Sequence, residues 1–270
     1  MNRDEREAPL STPVPARIRR DRILTLVRDR EFVRVTELAD RFEVSEVTVR
    51  TDLDALAERG LLRRVRGGAV PGTGPIVERR FEESTVAAAA EKGDIARAAA
   101  AKVQSGDTVI LDVGTTTTAI AKALAIRDDL SDLTVFTSSL TIAMALEVAT
   151  PRFTVVVTGG TLRPTQHSLV EPLAGLVLAK IHAAIAFIGC NGVDVRAGVT
   201  NVNLPETQVK RLILQASQRR IVCADHSKLG AVALAHVCDL DDVDLLLTDG
   251  GADPELVAGL RETGLAVELA

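Results

Sequence analysis

Two capped apolar helices within residues 36–53 and six short apolar runs alternating with helical stretches beyond residue 91 predict a two-part fold. It is a winged helix-turn-helix head joined to an α/β body with a mainly parallel sheet. The charge distribution divides the chain the same way. Residues 16–70 hold 13 arginines against 10 acidic residues, whereas residues 91–270 hold 15 basic against 21 acidic ones. A basic head on an acidic body is expected when one domain meets phosphate and the other does not, and the net charge of −5 conceals it.

A length of 270 residues suits two domains. The expected division is a disordered tail over 1–15, the head over 16–71, a linker over 72–90 and the body over 91–270. The hydrophobic fraction is 46% but aromatics make up only 2%, with no Trp or Tyr, so Ala, Val and Leu must fill the core. Aromatic platforms for stacking bases or sugars are largely unavailable. Cys190, Cys223 and Cys238 are odd in number and lack zinc spacing, which points to free thiols in a reducing cytoplasm. The first 22 residues are charged and lack the apolar centre of a signal peptide, and no apolar run reaches the roughly 18 residues of a membrane span. His167, His182 and His236 have no partner pattern, so neither a metal, a cofactor nor nucleophilic catalysis is expected.

In the head, Ile18, Ile23, Leu26 and Val27 form an apolar stripe and predict a helix over 17–30, followed by an extended piece over 32–35. Thr36 is the expected N-cap of a second helix that buries Ala39 and Phe42. Ser45 caps a third, where Val49, Leu53 and Leu56 recur at i, i+4 and i+7, and Gly60 closes it. This third helix would enter a DNA major groove, presenting Glu46, Thr48, Arg50, Thr51 and Asp54 outward. Residues 61–70 alternate around a Gly67-Gly68 turn and predict a β wing, with Arg64 and Arg66 placed for the DNA backbone or minor groove. The same helix spacing serves in small modules that bind proteins; the wing and the charge favour DNA.

In the body, runs at 108–112, 134–137, 154–158, 185–188, 220–224 and 245–248 are nearly continuous apolar stretches, as strands covered on both faces require. Ligands in such folds sit at the carboxyl ends of the strands. The first run ends in Asp112-Val113-Gly114-Thr115-Thr116-Thr117-Thr118, with a helix expected from about Ala119. Glycine, hydroxyls and free N–H groups at a helix start can hold a phosphate, and Asp112 can accept from a sugar hydroxyl. A threonine-capped turn would look similar, but four successive threonines exceed what capping needs. Thr137-Ser138, Gly159-Gly160 and Asp225-His226-Ser227-Lys228 end later runs. Lys228 and Lys210 are candidate cations for the phosphate, and Glu206 lies one turn before Lys210. A lone lysine on a helix is commonly just solvated.

With these residues in order, the chain resembles the DeoR-type bacterial transcriptional regulators. The resemblance rests on Val44-Ser45, Thr48-Val49-Arg50-Thr51-Asp52-Leu53 and Gly67-Gly68-Ala69 in the head. In the body it rests on Asp112-Val113-Gly114-Thr115-Thr116, Gly159-Gly160, Phe187-Ile188-Gly189, Gly198-Val199-Thr200, Glu206, Lys210 and Asp225-His226-Ser227-Lys228. It implies a repressor of a carbohydrate-metabolism operon with a body similar to ribose-5-phosphate isomerase, released from its operator by a phosphorylated sugar. It places Thr36, Ser45, Glu46, Thr48, Arg50, Thr51, Arg64 and Arg66 at double-stranded operator DNA. For the effector it offers Asp112, Gly114, Thr115, Thr116, Thr117, Thr137, Ser138, Gly159, Gly160, Glu206, Lys210 and Lys228. A homo-oligomer, dimer or tetramer, is expected, with no membrane partner. The chain departs from the family pattern at Thr51, Arg66, Ser138, Glu171 and Ala184. The competing expectation is a sugar-phosphate isomerase carrying an accessory head, with Glu206 as base beside Lys210.

Overall fold

The structure, a computed structural model, describes residues 15–28, 30, 32–58, 61–71, 76 and 78–270. Apart from Pro15, the expected tail lies outside the described residues, as does the helix stop at Gly60. The chain divides into two compact units, 1–75 and 76–270.

The first unit runs α1 (Ala16–Arg28), β1 (Val33–Arg34), α2 (Val35–Phe42), α3 (Glu46–Glu58), β2 (Leu62–Val65) and β3 (Gly68–Pro71). Three residues, with Glu43 in the left-handed region at φ 51°, turn α2 into α3. Ile23, Val27, Leu38, Phe42, Val49, Leu53 and Leu56 close one apolar core beneath this pair. The strands form an antiparallel sheet in the order β1-β3-β2, so the wing is three-stranded. Gly68 is required there: a Cβ on it would stand 2.1 Å from the Val33 carbonyl oxygen.

Thr36 does not cap α2. Arg34 pairs with Gly68 in the sheet and the Val35 N–H donates to the Gly67 carbonyl (2.9 Å), so Arg34 takes the cap position, the helix starts two residues earlier and Thr36 is exposed on its first turn. Ser45 caps α3 as expected, its Oγ accepting from the Thr48 N–H at 3.1 Å. Asp52, on the buried side of α3, receives the Nε of both Arg19 (2.6 Å) and Arg20 (2.7 Å), which ties α1 to α3.

The second unit contains, in order, α4 (Phe81–Val86), α5 (Ala89–Ala100), β4 (Thr108–Leu111), α6 (Thr115–Ala125), β5 (Leu133–Thr137), α7 (Leu140–Leu146) and β6 (Phe153–Val157). It continues with β7 (Thr161–Arg163), β8 (Ser168–Val170), α8 (Leu173–Leu178), β9 (Ala183–Ile188), β10 (Gly192–Asp194), β11 (Gly198–Asn201), α9 (Leu204–Gln215) and β12 (Ser217–Cys223). It ends with β13 (Ala235–Cys238), β14 (Leu245–Thr248), α10 (Pro254–Glu262) and β15 (Val267–Leu269). All six expected strands are present, and β15 adds a seventh. They form one sheet in the order β15-β14-β12-β9-β4-β5-β6, with every pairing parallel. Successive strand residues face opposite sides. Val109, Leu111, Ile185 and Phe187 pack with α5, α6 and α7, while Ile110, Ala186, Ile188 and Val222 pack with α8, α9 and α10.

Two expectations shift. Helix α6 begins at Thr115, not near Ala119, so the threonine run is its first turn. The second unit takes in residues from Ile76 onward, within the stretch expected as linker. The short hairpin β7–β8 and the antiparallel sheet β10-β11-β13 were not expected.

Candidate functional site

On α3, the helix expected to enter the groove, Glu46, Arg50, Thr51 and Asp54 are exposed and Thr48 is half-buried. Arg50 Nη2 donates to Glu46 Oε2 at 2.6 Å, one turn back. The two wing arginines differ. Arg64 Nη1 reaches the Arg50 carbonyl and Asp54 Oδ1, each at 3.2 Å, so it braces the wing on α3, whereas Arg66 is exposed at the wing turn. Val47 is also 69% exposed on the same helix.

In the body, strand order reverses between β4 and β9: the chain proceeds outward through β5 and β6, then returns to β9 and builds the other half. Such a switch point opens a crevice at the strand ends. Asp112, the residue after β4, stands there fully buried. Its N–H donates to the Phe187 carbonyl (3.0 Å), and its Oδ2 accepts from the Gly189 N–H (3.0 Å) and from Lys210 Nζ. Lys210 comes from α9, is itself buried, and donates also to the Gly189 carbonyl at 2.9 Å. Burial pushes the Asp112 carboxyl upward, against the pull of Lys210. Burial also works against the Lys210 ammonium, but Asp112 and then Glu206 outweigh it and hold that pKa above its ordinary value. Asp112 and Lys210 therefore form a buried ion pair, not two solvated groups.

Around this pair the strand ends hold oxygen-bearing side chains. Thr137 Oγ1 donates to the Leu111 carbonyl (2.8 Å) and accepts from the Ser139 N–H (3.1 Å), so it locks β5 to β4. Thr117 and Thr118 bond back to the Gly114 carbonyl, at 3.1 and 2.7 Å, and serve the helix start itself. Thr115 and Thr116 share that turn with its unfilled N–H groups. Gly159 and Gly160 lead from β6 into β7, and at Gly160 (φ +133°) a Cβ would stand 2.1 Å from the Val170 carbonyl oxygen. Among the described residues, Asp112 Oδ1, Ser138 Oγ and Thr248 Oγ1 are buried side-chain oxygens without a hydrogen-bond partner, and the first two directly follow adjacent strands. Buried polar atoms are ordinarily paired, so each of these keeps unused hydrogen-bonding capacity at the switch-point strand ends.

Both domains match one family. Residues 19–72 match the DeoR-like helix-turn-helix domain and residues 87–250 the DeoR C terminal sensor domain. The chain belongs to the DeoR family. Its relatives are aligned almost end to end. The HTH-type transcriptional regulator GolR of Listeria innocua is 32% identical over 93% of this chain and 98% of its own. The transcriptional repressor AccR of Agrobacterium fabrum is 34% identical over 86% and 89%, and the glycerol-3-phosphate regulon repressor of Escherichia coli is 29% identical over 93% and 98%. Among solved structures, ribose 5-phosphate isomerase A of Methanocaldococcus jannaschii aligns with 52% of this chain and 54% of its own at 16% identity, with a TM-score of 0.40.

The remaining sequence-derived residues of this DeoR-family chain lie on several elements of the body. Lys228 is half-buried in the short turn after β12, close enough to shape its neighbours' charge. Burial opposes the Asp225 carboxylate, but Lys228, Ser227 and Lys92 outweigh it and hold its pKa below the usual range. Glu206 does not face Lys210 as an acid–base partner. Its Oε1 accepts from Ser168 Oγ (2.6 Å) and Arg163 Nη1 (2.8 Å). Arg163 escaped the sequence reading, although its place two residues past Thr161 at a strand end was a signal for it. The Glu171 carboxylate lies over Gly175 of α8, and Ala184 is half-buried in β9. Among the described residues no cluster of His, Cys, Asp or Glu could hold a metal ion.

Proposed function

We propose that this DeoR-family chain is a repressor of a carbohydrate-metabolism operon that leaves its operator when the body binds a phosphorylated sugar. Residues 16–71 bind DNA; residues 91–270 sense the effector and join protomers into a dimer or tetramer. The observation that carries the reading is the switch-point site. Asp112 Oδ1 and Ser138 Oγ are buried at the ends of adjacent strands without a hydrogen-bond partner, capacity that a sugar's hydroxyls would fill, and the α6 helix start offers N–H groups that suit its phosphate. The full-length alignment with a glycerol-3-phosphate regulon repressor supports the same ligand class. Helix-turn-helix dimers read half-sites about one helical turn apart, so an effector that alters protomer pairing would misplace the heads. A regulator of this kind works in the cytoplasm.

The isomerase alternative is disfavoured by the site's chemistry. Lys210 is spent on Asp112 in a buried ion pair and Glu206 on Arg163, so the expected pairing of a Glu206 base with an electrophilic Lys210 is not formed. Cys190, beside them, is pushed up to about 12 by burial and is no nucleophile at neutral pH. Purified protein is expected not to turn over pentose or hexose phosphates.

A thermal-shift screen of sugar phosphates tests the sensor directly: an effector at 100 times its dissociation constant adds about 2.7 kcal/mol of stability. Thr116→Asp is expected to remove that shift while leaving operator binding intact. An aspartate at a helix start is favoured by the dipole, so the variant should fold, yet its charge would repel a phosphate. Normal effector-driven release of this variant would refute the α6 site.

A further inference from the structure

The stretch that follows the head in sequence is strapped to the β7–β8 hairpin. Arg163 Nη1 reaches Glu78 Oε1 at 2.8 Å, and its Nη2 also meets the Glu78 carboxylate. Gln166 Nε2 donates to the Arg79 carbonyl (2.7 Å), and the Phe81 N–H donates to the Thr165 carbonyl (2.9 Å). Glu82 Oε1 lies 2.8 Å from His167 Nε2, and the Phe81 and His167 rings meet edge to face at 5.5 Å. At the far end, Lys92 Nζ closes the α4–α5 turn on the Ser84 and Ala87 carbonyls, at 2.6 and 2.7 Å.

These fastenings are not equivalent. Four of them end on the turn between the hairpin strands, away from the switch point. The Glu78 contact alone runs into the site, because Arg163 also holds Glu206, one turn before Lys210 on α9. One guanidinium thus carries two carboxylates. A phosphate dianion arriving beside them would gather three anionic groups on one cation unless a carboxylate left. Glu206 is fixed by the Ser168 hydroxyl and by its helix, whose cap Asn203 accepts from the Glu206 N–H at 3.0 Å. Glu78 sits on a stretch with neither helix nor strand, so it is the one that can leave at least cost.

We infer that Glu78 occupies on Arg163 the place a phosphate monoester takes, and that exchanging one for the other unclasps residues 78–82 and carries the effector signal toward the head. This deepens the proposed function and rests on its ligand class, adding Arg163, which reaches the Asp112 site through Glu206, to the α6 helix start as a second partner of the same phosphate. Arg163 suits the exchange, since its planar fork binds either carboxylate or phosphate through paired hydrogen bonds.

The test uses the full chain, with inorganic phosphate as the probe against chloride at matched ionic strength. Trypsin cleavage after Arg79 and Arg80, followed by mass spectrometry, reports the strap; calorimetry reports phosphate affinity. Glu78→Gln is expected to raise the cleavage rate about tenfold without ligand and to tighten phosphate binding about tenfold. Saturating phosphate should bring the wild type to the variant's cleavage rate. Glu82→Gln loosens the same segment away from Arg163 and should leave phosphate affinity within about twofold. Equal tightening by both variants would mean that general loosening, not competition, is at work, and would overturn the clasp. Unchanged phosphate affinity in Glu78→Gln, or no phosphate binding by either protein, overturns it too. If sugar phosphates still shift the melting temperature in that case, the clasp fails alone and the sensor reading stands.

Discussion

Arg50→Ala is expected to lower specific operator affinity by roughly 30-fold to 10⁴-fold while barely changing the melting temperature. A good base-edge contact contributes about 1–3 kcal/mol of discrimination, and a dimer loses it twice; at 1.4 kcal/mol per tenfold, that spans the stated range. The cost to folding is small because the side chain is exposed and its ion-pair partner is Glu46, also exposed on the same helix face. Exposed i,i+4 pairs contribute only about 0.3–0.5 kcal/mol. The wing stays anchored, since Arg64 uses the Arg50 backbone carbonyl and Asp54, and the substitution keeps both. Footprinting together with thermal melting checks this. An intact footprint with Arg50→Ala would remove α3 as the reading helix. Loss of fold together with binding would show instead that Arg50 is structural.

How much of this was legible in sequence depended on distance along the chain. Strands β4, β9, β12 and β14 were legible because each holds a run such as Val109-Ile110-Leu111 that is buried on both faces, whereas β5 and β6, buried mainly on one, were legible from their β-branched residues. Strand β15 was missed: it is three residues long at a sheet edge, and Leu269 is exposed. The start of α2 was misplaced because a long-range pairing, Arg34 with Gly68, overrides the local capping preference of Thr36. Asp52 carried an unread signal. It falls at i+3 from Val49, inside the buried stripe of Val49, Leu53 and Leu56, and a carboxylate there demands partners. Glu206 and Lys210 likewise flank Val209 and Ile213 on the buried face of α9. That periodicity could have placed them inside the fold, but not with Asp112, 98 residues earlier, or with Arg163. Local spacing names candidate residues; which of them meet is decided by sheet order.

Lys210→Met should destabilise the body by about 3–5 kcal/mol, the cost of leaving a buried charge without its partner. At about 2–4 °C per kcal/mol for a domain of this size, the melting temperature falls by roughly 6–20 °C. The stranded group is Asp112, fully buried, which would keep backbone N–H groups such as that of Gly189 but no cation. The double variant Asp112→Asn with Lys210→Met removes both charges at nearly constant volume and should recover most of the loss, because replacing a whole buried pair is often close to neutral. The double variant also separates folding from sensing. If the pair only holds the switch point together, the restored protein will answer sugar phosphates normally. If Asp112 accepts a sugar hydroxyl through its open Oδ1, the restored protein will bind operator yet fail to release it, since an asparagine whose amide group points outward offers a donor where the ligand needs an acceptor. A single Lys210→Met variant that melts with the wild type would contradict the ion pair itself. In that event Lys210 would be free for chemistry, and the case against an enzyme would lose its main support.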